Sequence, residues 1–231
     1  MNQSTPRSML EQISTCWPMI QSPVQFVMRY ARAIQKYVAA MLRDANEAEE
    51  VTQEFLVKVL AKGFCPENVS RGRFRDYLKS AVRYVAISHL RKGRPPQISD
   101  AELASLAQDE APADAAWQAE WRDCLLERVW QALEAFQQAT PGNLYYTVLR
   151  QYTSEPDADS ALHAQRLAAA IGRPVTPEGF RQQLHRARRQ FAQLLVEEIR
   201  RTLQEPTAAA LEQELIDLEL IVYVRDFLKK K

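Results

Sequence analysis

The sequence predicts an all-α protein built from two small helical domains, and three observations carry that expectation. Glycine is scarce, with 6 in 231 residues, and the chain is rich in Ala, Leu, Gln, Glu and Arg, which lose little side-chain freedom in a helix. Apolar residues recur at three- and four-residue steps along most of the length, the spacing of a helix with one covered face. An acidic, proline-containing stretch over residues 95–116 interrupts that pattern, and the chain is long enough to form a modest core on either side of it. The expected plan is an N-terminal extension (1–23), a first helical domain (24–94), an acidic linker (95–116), a second domain (117–203) and a C-terminal amphipathic extension (204–231).

The first domain opens with Val27, Met28, Ala31, Ile34, Val38, Met41 and Leu42 as an apolar stripe, followed by Val51, Phe55, Leu56, Val59 and Leu60 as a second. Between them either Asp44 or Asn46 is suited to cap the second helix, with Glu47, Glu49 and Glu50 on its electropositive first turn. A loop around residues 63–72 leads to a third helix over 74–90, whose stripe is Tyr77, Leu78, Ala81, Val82, Val85 and Leu90; Gly93, Arg94, Pro95 and Pro96 end it. The following linker carries Asp100, Glu102, Asp109, Glu110, Asp114 and Glu120 without a Lys or Arg, and reads as a tether that is helical in part.

The second domain begins near Trp117, with Trp121, Leu125, Val129, Leu133 and Phe136 on one face, and breaks at Thr140, Pro141 and Gly142. A short helix over 144–152 follows. Another over 162–171 stops at Gly172, and a longer one opens at Thr176, Pro177 and Glu178, an N-cap followed by proline at the first helical position. In the tail, Leu211, Leu215, Leu218 and Ile221 or Val222 form a stripe of an extra amphipathic helix, expected to dock on its own protein or on a regulator.

Several function classes are disfavoured. Cys16, Cys65 and Cys124 are odd in number and far apart, so neither a disulfide framework nor a zinc site is indicated, and a reducing cytoplasm fits. No apolar run approaches the length of a membrane span, and no secretory leader pattern is seen, so membrane insertion is not expected. His89, His163 and His185 accompany no nucleophile arrangement, and no phosphate loop or metal motif appears. Neither enzymatic activity nor a cofactor is expected. The formal net charge of +1 conceals an uneven distribution, and two clusters stand out.

One is a helix-turn-helix outline: a short helix, a turn over residues 172–175, and a long helix whose outward residues Arg181, Gln182, His185, Arg186, Arg188 and Arg189 oppose a stripe of Phe180, Leu184, Ala187, Phe191 and Leu195. A major groove accepts such a helix, Arg and Gln reach base edges, and further arginines neutralise phosphates. A solvated basic face is the plainer reading; the helix-turn-helix spacing weighs against it. The other cluster sets Arg71, Arg73, Arg75, Lys79, Arg83, Arg91, Lys92 and Arg94 against one acid, Asp76, interleaved with Phe74, Tyr77, Tyr84 and His89. Cations attract a phosphate backbone and aromatic faces stack on unpaired bases, so single-stranded nucleic acid is the natural ligand, with Phe74 and Tyr77 as core residues the competing reading.

A family resemblance rests on these segments. The run Asn46, Glu47, Ala48, Glu49, Glu50, Val51, Thr52, Gln53, Glu54, Phe55, then Gly72-Arg73-Phe74-Arg75-Asp76-Tyr77-Leu78, Arg83-Tyr84 and His89-Leu90-Arg91-Lys92, resembles conserved region 2 of the extracytoplasmic-function sigma factors, a subfamily of the sigma-70 family. Residues 180–188, Phe-Arg-Gln-Gln-Leu-His-Arg-Ala-Arg, are similar to the recognition helix of region 4 in the same family. Both modules stand in the family order. Tyr84 and Ser88 depart from it, where the family usually has Asn and Asp, and the segment over 143–160 and the tail beyond 206 are longer than usual.

The resemblance implies a bacterial transcription initiation factor whose chemistry is supplied by RNA polymerase core. Glu47, Glu49, Glu50, Gln53 and Glu54 would dock on the beta-prime clamp. Arg73, Phe74, Tyr77, Lys79, Arg83, Tyr84, His89, Arg91 and Lys92 would capture the melted minus-10 strand. Thr176, Arg181, Gln182, His185, Arg186, Arg188 and Arg189 would bind the minus-35 duplex, with the beta flap a further partner of that module. An anti-sigma factor or other regulator is a further partner to consider. The alternatives are a helix-turn-helix regulator of duplex DNA and a sigma-like protein that binds polymerase without initiating.

Overall fold

The computed structural model describes residues 22–42, 44–63, 73–92 and 110–228; the N-terminal extension up to residue 21, most of the loop after Gly63 and the linker up to residue 109 lie outside them. The fold is all-α. The helices are α1 (Pro23–Leu42), α2 (Ala45–Lys62), α3 (Phe74–Lys92), α4 (Glu110–Ala139), α5 (Tyr145–Ser154), α6 (Ser160–Ile171), α7 (Pro177–Arg200), α8 (Ala208–Asp217) and the short α9 (Arg225–Leu228), with a 3-10 turn at Ile221–Tyr223. Among the described residues the one β-type pairing is an isolated antiparallel bridge between Arg73 and Leu203. No described helix is long and apolar enough to cross a membrane.

The chain divides into two compact units, Met1–Cys124 with Arg200–Gln213, and Leu125–Ile199 with Glu214–Lys231. In the first, α1 and α2 form an antiparallel-type pair whose entry is set by Asp44: its carboxylate accepts from the backbone N–H of Asn46 at 2.8 Å and of Glu47 at 2.9 Å, settling which residue caps α2. The buried face of α1 is Phe26, Tyr30, Ala33, Ile34, Tyr37, Val38 and Leu42. The expected stripe has the wrong phase at its start, because Met28 is 83% exposed while the aromatic rings of Phe26 and Tyr30 turn inward. On α2 the buried set is Ala48, Val51, Thr52, Phe55 and Val59, and Leu60 faces solvent.

The largest difference from expectation concerns the linker. Residues 110–116 are already helical, and Trp117 and Trp121, expected to open the second domain, are buried in the core of the first unit. Trp121 stacks on Tyr30 with centroids 5.0 Å apart and planes 6° from parallel, and lies 5.9 Å from Phe74; Trp117 lies 5.4 Å from Tyr37. Two ion pairs frame the same face, Arg32 with Glu120 at 2.8 Å and Lys79 with Asp114 at 2.7 Å. Burial decides the docking: removing a tryptophan side chain from water contributes about 4–6 kcal/mol as an upper bound, against roughly 0–1 kcal/mol for a partly exposed ion pair. Both indole N–H groups lack a hydrogen-bond partner among the described residues, which offsets about 1–3 kcal/mol each. The segment after α7 closes the unit, with the Phe74 N–H donating to the Thr202 carbonyl at 3.1 Å and Leu203 buried.

In the second unit, Leu125, Val129 and Leu133 of α4 face a core of Val148, Leu149, Ala164, Leu167, Phe180, Leu184, Phe191 and Leu195. The tail is self-docked, with Leu215, Leu218, Leu220 and Val224 buried in this unit. It is not the single helix expected. Glu219 adopts φ 57°, the Leu220 N–H donates to the Leu215 carbonyl at 2.8 Å and the Glu219 N–H to the Ile216 carbonyl at 2.9 Å, a left-handed cap that stops α8 before Val222, which is 70% exposed.

Two outcomes are expected. Trp121→Ala costs about 3–5 kcal/mol, read as a lowered urea midpoint, and an unchanged midpoint would contradict its packing on Tyr30. Truncation after Glu205 removes Leu211 from the first core and four buried apolar residues from the second, and lowers the thermal midpoint by many degrees or abolishes soluble expression; an unchanged melting curve would contradict this packing.

Candidate nucleic-acid interface

The surface of α2 in the first unit is anionic with an apolar margin. Glu49, Glu50 and Gln53 are exposed, and the Gln53 side-chain amide donates to Glu49 at 3.1 Å. Glu47 is half-buried at the capped end. Glu54 is half-buried too, accepting from Lys58 Nζ at 2.6 Å and standing 3.8 Å from His89 Nδ1. Val57, 61% exposed, and Leu60, 47% exposed, continue the stripe of Glu49 and Gln53 at helical steps. Apolar periodicity put Leu60 in the buried stripe and gave Val57 no role, and neither was expected from sequence as part of an exposed surface. A carboxylate-lined helix with uncovered aliphatics repels phosphate and suits a protein partner.

On α3 the residues singled out from sequence separate into two groups. Phe74 is fully buried, its ring 6.3 Å from Phe26, 5.4 Å from Tyr30 and 5.9 Å from Trp121, so it is a core residue and its face is not available to a base. Arg73 is half-buried with its backbone bridged to Leu203. Lys79 is tied to Asp114, His89 turns toward Glu54, and Arg75 is 4% exposed beside Asp76 at 3.4 Å. The inward face of α3 is therefore Phe74, Arg75, Leu78, Val82 and Ala86. Tyr84, 72% exposed, and Arg91 occupy the outward face with Ser80, and Tyr77 and Arg83 are half-exposed at its flanks. Lys92 ends the helix, and its side chain is outside those described. What α3 offers a ligand is thus one uncovered phenol ring with Arg83 adjacent in sequence and Arg91 two turns on, a smaller surface than the cation count of the segment implies.

In the second unit α6 and α7 are joined by a short turn, the segment expected from sequence to form a helix-turn-helix. Asp159 caps α6 by accepting from the Leu162 N–H at 2.7 Å, and Gly172 ends it at φ 67°, a left-handed conformation that glycine adopts without steric cost. Thr176 then caps α7, its Oγ1 accepting from the Gly179 N–H at 3.0 Å. Phe180, Leu184, Ala187, Phe191 and Leu195 are all buried. Phe180 stacks on His163 at 5.0 Å with planes 6° apart, and His163, 1% exposed, meets Gln151 Nε2 at 3.2 Å through Nδ1 and the Glu155 carbonyl at 3.2 Å through Nε2, an arrangement satisfied by the neutral ring with its proton on Nε2. At the far end of α7, Glu198 pairs with Arg128 of α4 at 2.6 Å.

With that face fixed, Thr176, Arg181, Gln182, His185, Arg186, Arg188 and Arg189 are all exposed. They are not equivalent. The Arg188 guanidinium lies 4.5 Å over the Tyr152 ring of α5, and the His185 ring is 6.0 Å from Phe227 of the tail, so both stand at the flanks. Arg181 is held by Glu178, which accepts from its Nη2 at 2.5 Å and its Nε at 3.2 Å. Glu178 was absent from the residues singled out by sequence, where it reads only as an acid on a helix first turn. Among the described residues no group of three or more His, Cys, Asp or Glu is placed to hold a metal ion.

Residues 26–95 match the family model described as Sigma-70 region 2. The matched stretch takes in α1, α2 and α3 almost entirely, so it coincides with the anionic and aromatic-basic surfaces of the first unit. The likeness to Sigma-70 region 2 is thus confined to the helices of the first unit, about a third of the chain. No curated protein and no solved structure matches the chain.

Substitutions should separate the two groups on α3. Phe74→Ala is expected to cost about 3–5 kcal/mol of stability, while Tyr84→Ala stays within about 0.5 kcal/mol of the parent, compared by parallel thermal and urea melts.

Proposed function

We propose that the chain is an extracytoplasmic-function-type sigma factor: α2 docks RNA polymerase at the beta-prime clamp, α3 captures the melted minus-10 strand and α7 reads the minus-35 duplex. The observation that carries this reading is the coincidence of a Sigma-70 region 2 match on the first unit with two helices joined by a short turn in the second, the longer of which turns its base-capable side chains outward. Strand capture in this scheme depends on Tyr84, with Tyr77, Arg83 and Arg91 beside it, and not on Phe74. The exposed ring stacks on a base and the cations meet phosphate. On α7, Gln182 and Arg186 read bases, Arg181 does so together with its carboxylate partner, and Arg188 and Arg189 contact phosphate. The beta flap is a further contact of the second unit, and the cytoplasm is the compartment.

A second reading, a sigma-like protein that binds polymerase without initiating, is favoured by one observation. Lys79, Phe74 and the backbone of Arg73 are all engaged within the first unit. Run-off transcription with core polymerase reconstituted from the source organism separates the two. The sigma reading expects specific transcripts from duplex templates, their loss with Tyr84→Ala, and rescue of that variant on a premelted template. Polymerase binding with no transcript from either template would support the second reading. Arg186→Ala is expected to relax discrimination at one base pair by about 1–3 kcal/mol, measured by competition among duplexes that differ at single positions.

A further inference from the structure

An acid at the reading end of α7 is unaccounted for by a surface that works through donors alone. Glu178 stands in the first turn, next to the Thr176 cap, with 63% of its side chain exposed; Arg181, its partner, is 55% exposed. Both guanidinium bonds, from Nε at 3.2 Å and Nη2 at 2.5 Å, end on one carboxylate oxygen, and the other oxygen accepts from Gln182 Nε2 at 3.4 Å. An exposed ion pair adds little to stability. It does fix the rotamers of two long side chains that would otherwise be ordered only on binding, and it leaves the Nη1 N–H groups of Arg181 uncommitted to Glu178.

We propose that Glu178 and Arg181 read a G·C base pair as one unit, the carboxylate of Glu178 accepting from the cytosine amino group while Arg181 donates to the guanine acceptors. The inference rests on the duplex-reading role of α7 and deepens it. In the major groove cytosine presents a donor without a neighbouring acceptor of its own, whereas adenine sets N7 beside its amino group and so repels a carboxylate. Guanine presents O6 and N7, the acceptors that a guanidinium fits. A hydrogen-bonded carboxylate and guanidinium one helical turn apart therefore match the donor and acceptors of a single G·C pair, and a carboxylate facing thymine O4 or guanine O6 leaves two acceptors opposed. The hydrogen bonds and charge of Arg181, with Gln182 behind them, hold the Glu178 carboxyl below its ordinary range, so it remains an acceptor at mildly acidic pH. A plain first-turn acid, favourable to the helix dipole, would instead be indifferent to the base opposite it.

The test is selection of duplexes from a randomised library by the full chain bound to reconstituted core polymerase, using the parent and Glu178→Gln, with thermal melts of both. The parent is expected to select a G·C pair in one orientation at one position of the upstream site. Glu178→Gln, which keeps the shape but offers a donor and an acceptor, is expected to lose that preference by on the order of tenfold while the other positions and the melting midpoint stay as they were. An unchanged base profile in Glu178→Gln, or a uniform loss across all positions with a lower midpoint, would overturn the assignment and leave the duplex-reading role standing. A parent complex that selects no upstream sequence at all would overturn both.

Discussion

A helix can display arginines in a fixed order only if its opposite face has nowhere else to go, and in the second unit that condition rests on Phe180. Its ring is buried against His163, and His163 is itself held by Gln151 and the Glu155 carbonyl. The buried line continues through Leu184, Ala187, Phe191 and Leu195. Rotation of α7 by even one residue, about 100°, would put Arg181 into the core and Phe180 into water, at a cost far above that of any surface ion pair. The outward placement of Gln182 and Arg186 is thus a consequence of packing, and their chemistry is available without reorganisation.

The first unit meets a different demand. Its aromatic cluster of Phe26, Tyr30, Phe74, Trp117 and Trp121 draws on three separate parts of the sequence, and the last of them comes from beyond the matched region 2 segment. Completion of the core by α4 takes Phe74 and Lys79 out of the set open to a ligand and leaves Tyr84 as the uncovered ring of α3. One helix thereby supplies structural residues on one side and a compact exposed face on the other, with Ser80, Tyr84 and Arg91 in a row. The anionic face of α2 lies on the same unit, so the two helices present surfaces of opposite charge character.

Legibility from sequence followed the strength of the periodic signal. The helix pattern, the Thr176 cap, the Gly172 stop and every core residue expected on α7 emerge in the structure, because a long amphipathic helix with clear punctuation has one satisfactory phase. On α1 and α3 two phases compete. Aliphatic residues such as Met28 suggested one, and the aromatics Phe26, Tyr30 and Phe74 enforce the other through their larger burial. The start of α4 misled for a related reason: Trp117 and Trp121 share an apolar stripe with Leu125 and Val129 and so read as one domain's core, and only the presence of distant Tyr30, Tyr37 and Phe74 draws the two tryptophans into the first unit. The pairing of Glu178 with Arg181 and the parking of Arg188 on Tyr152 depend on side-chain rotamers, which spacing does not encode.

Division of the chain into Met1–Cys124 with Arg200–Gln213, and Leu125–Ile199 with Glu214–Lys231, means that neither unit is a contiguous stretch of polypeptide. Recombination that exchanges one uninterrupted segment, in nature or in a chimaera, cannot transplant α7 with its whole unit without also severing the chain segments that complete the other core. A swap of residues 117–203 would carry off both tryptophans along with Thr202 and Leu203, leaving the recipient half with an open hydrophobic wound. Interleaved connectivity of this kind ties the two cores together, so that the exposed face of α7 is more readily altered by substitutions on its surface than by the trading of modules.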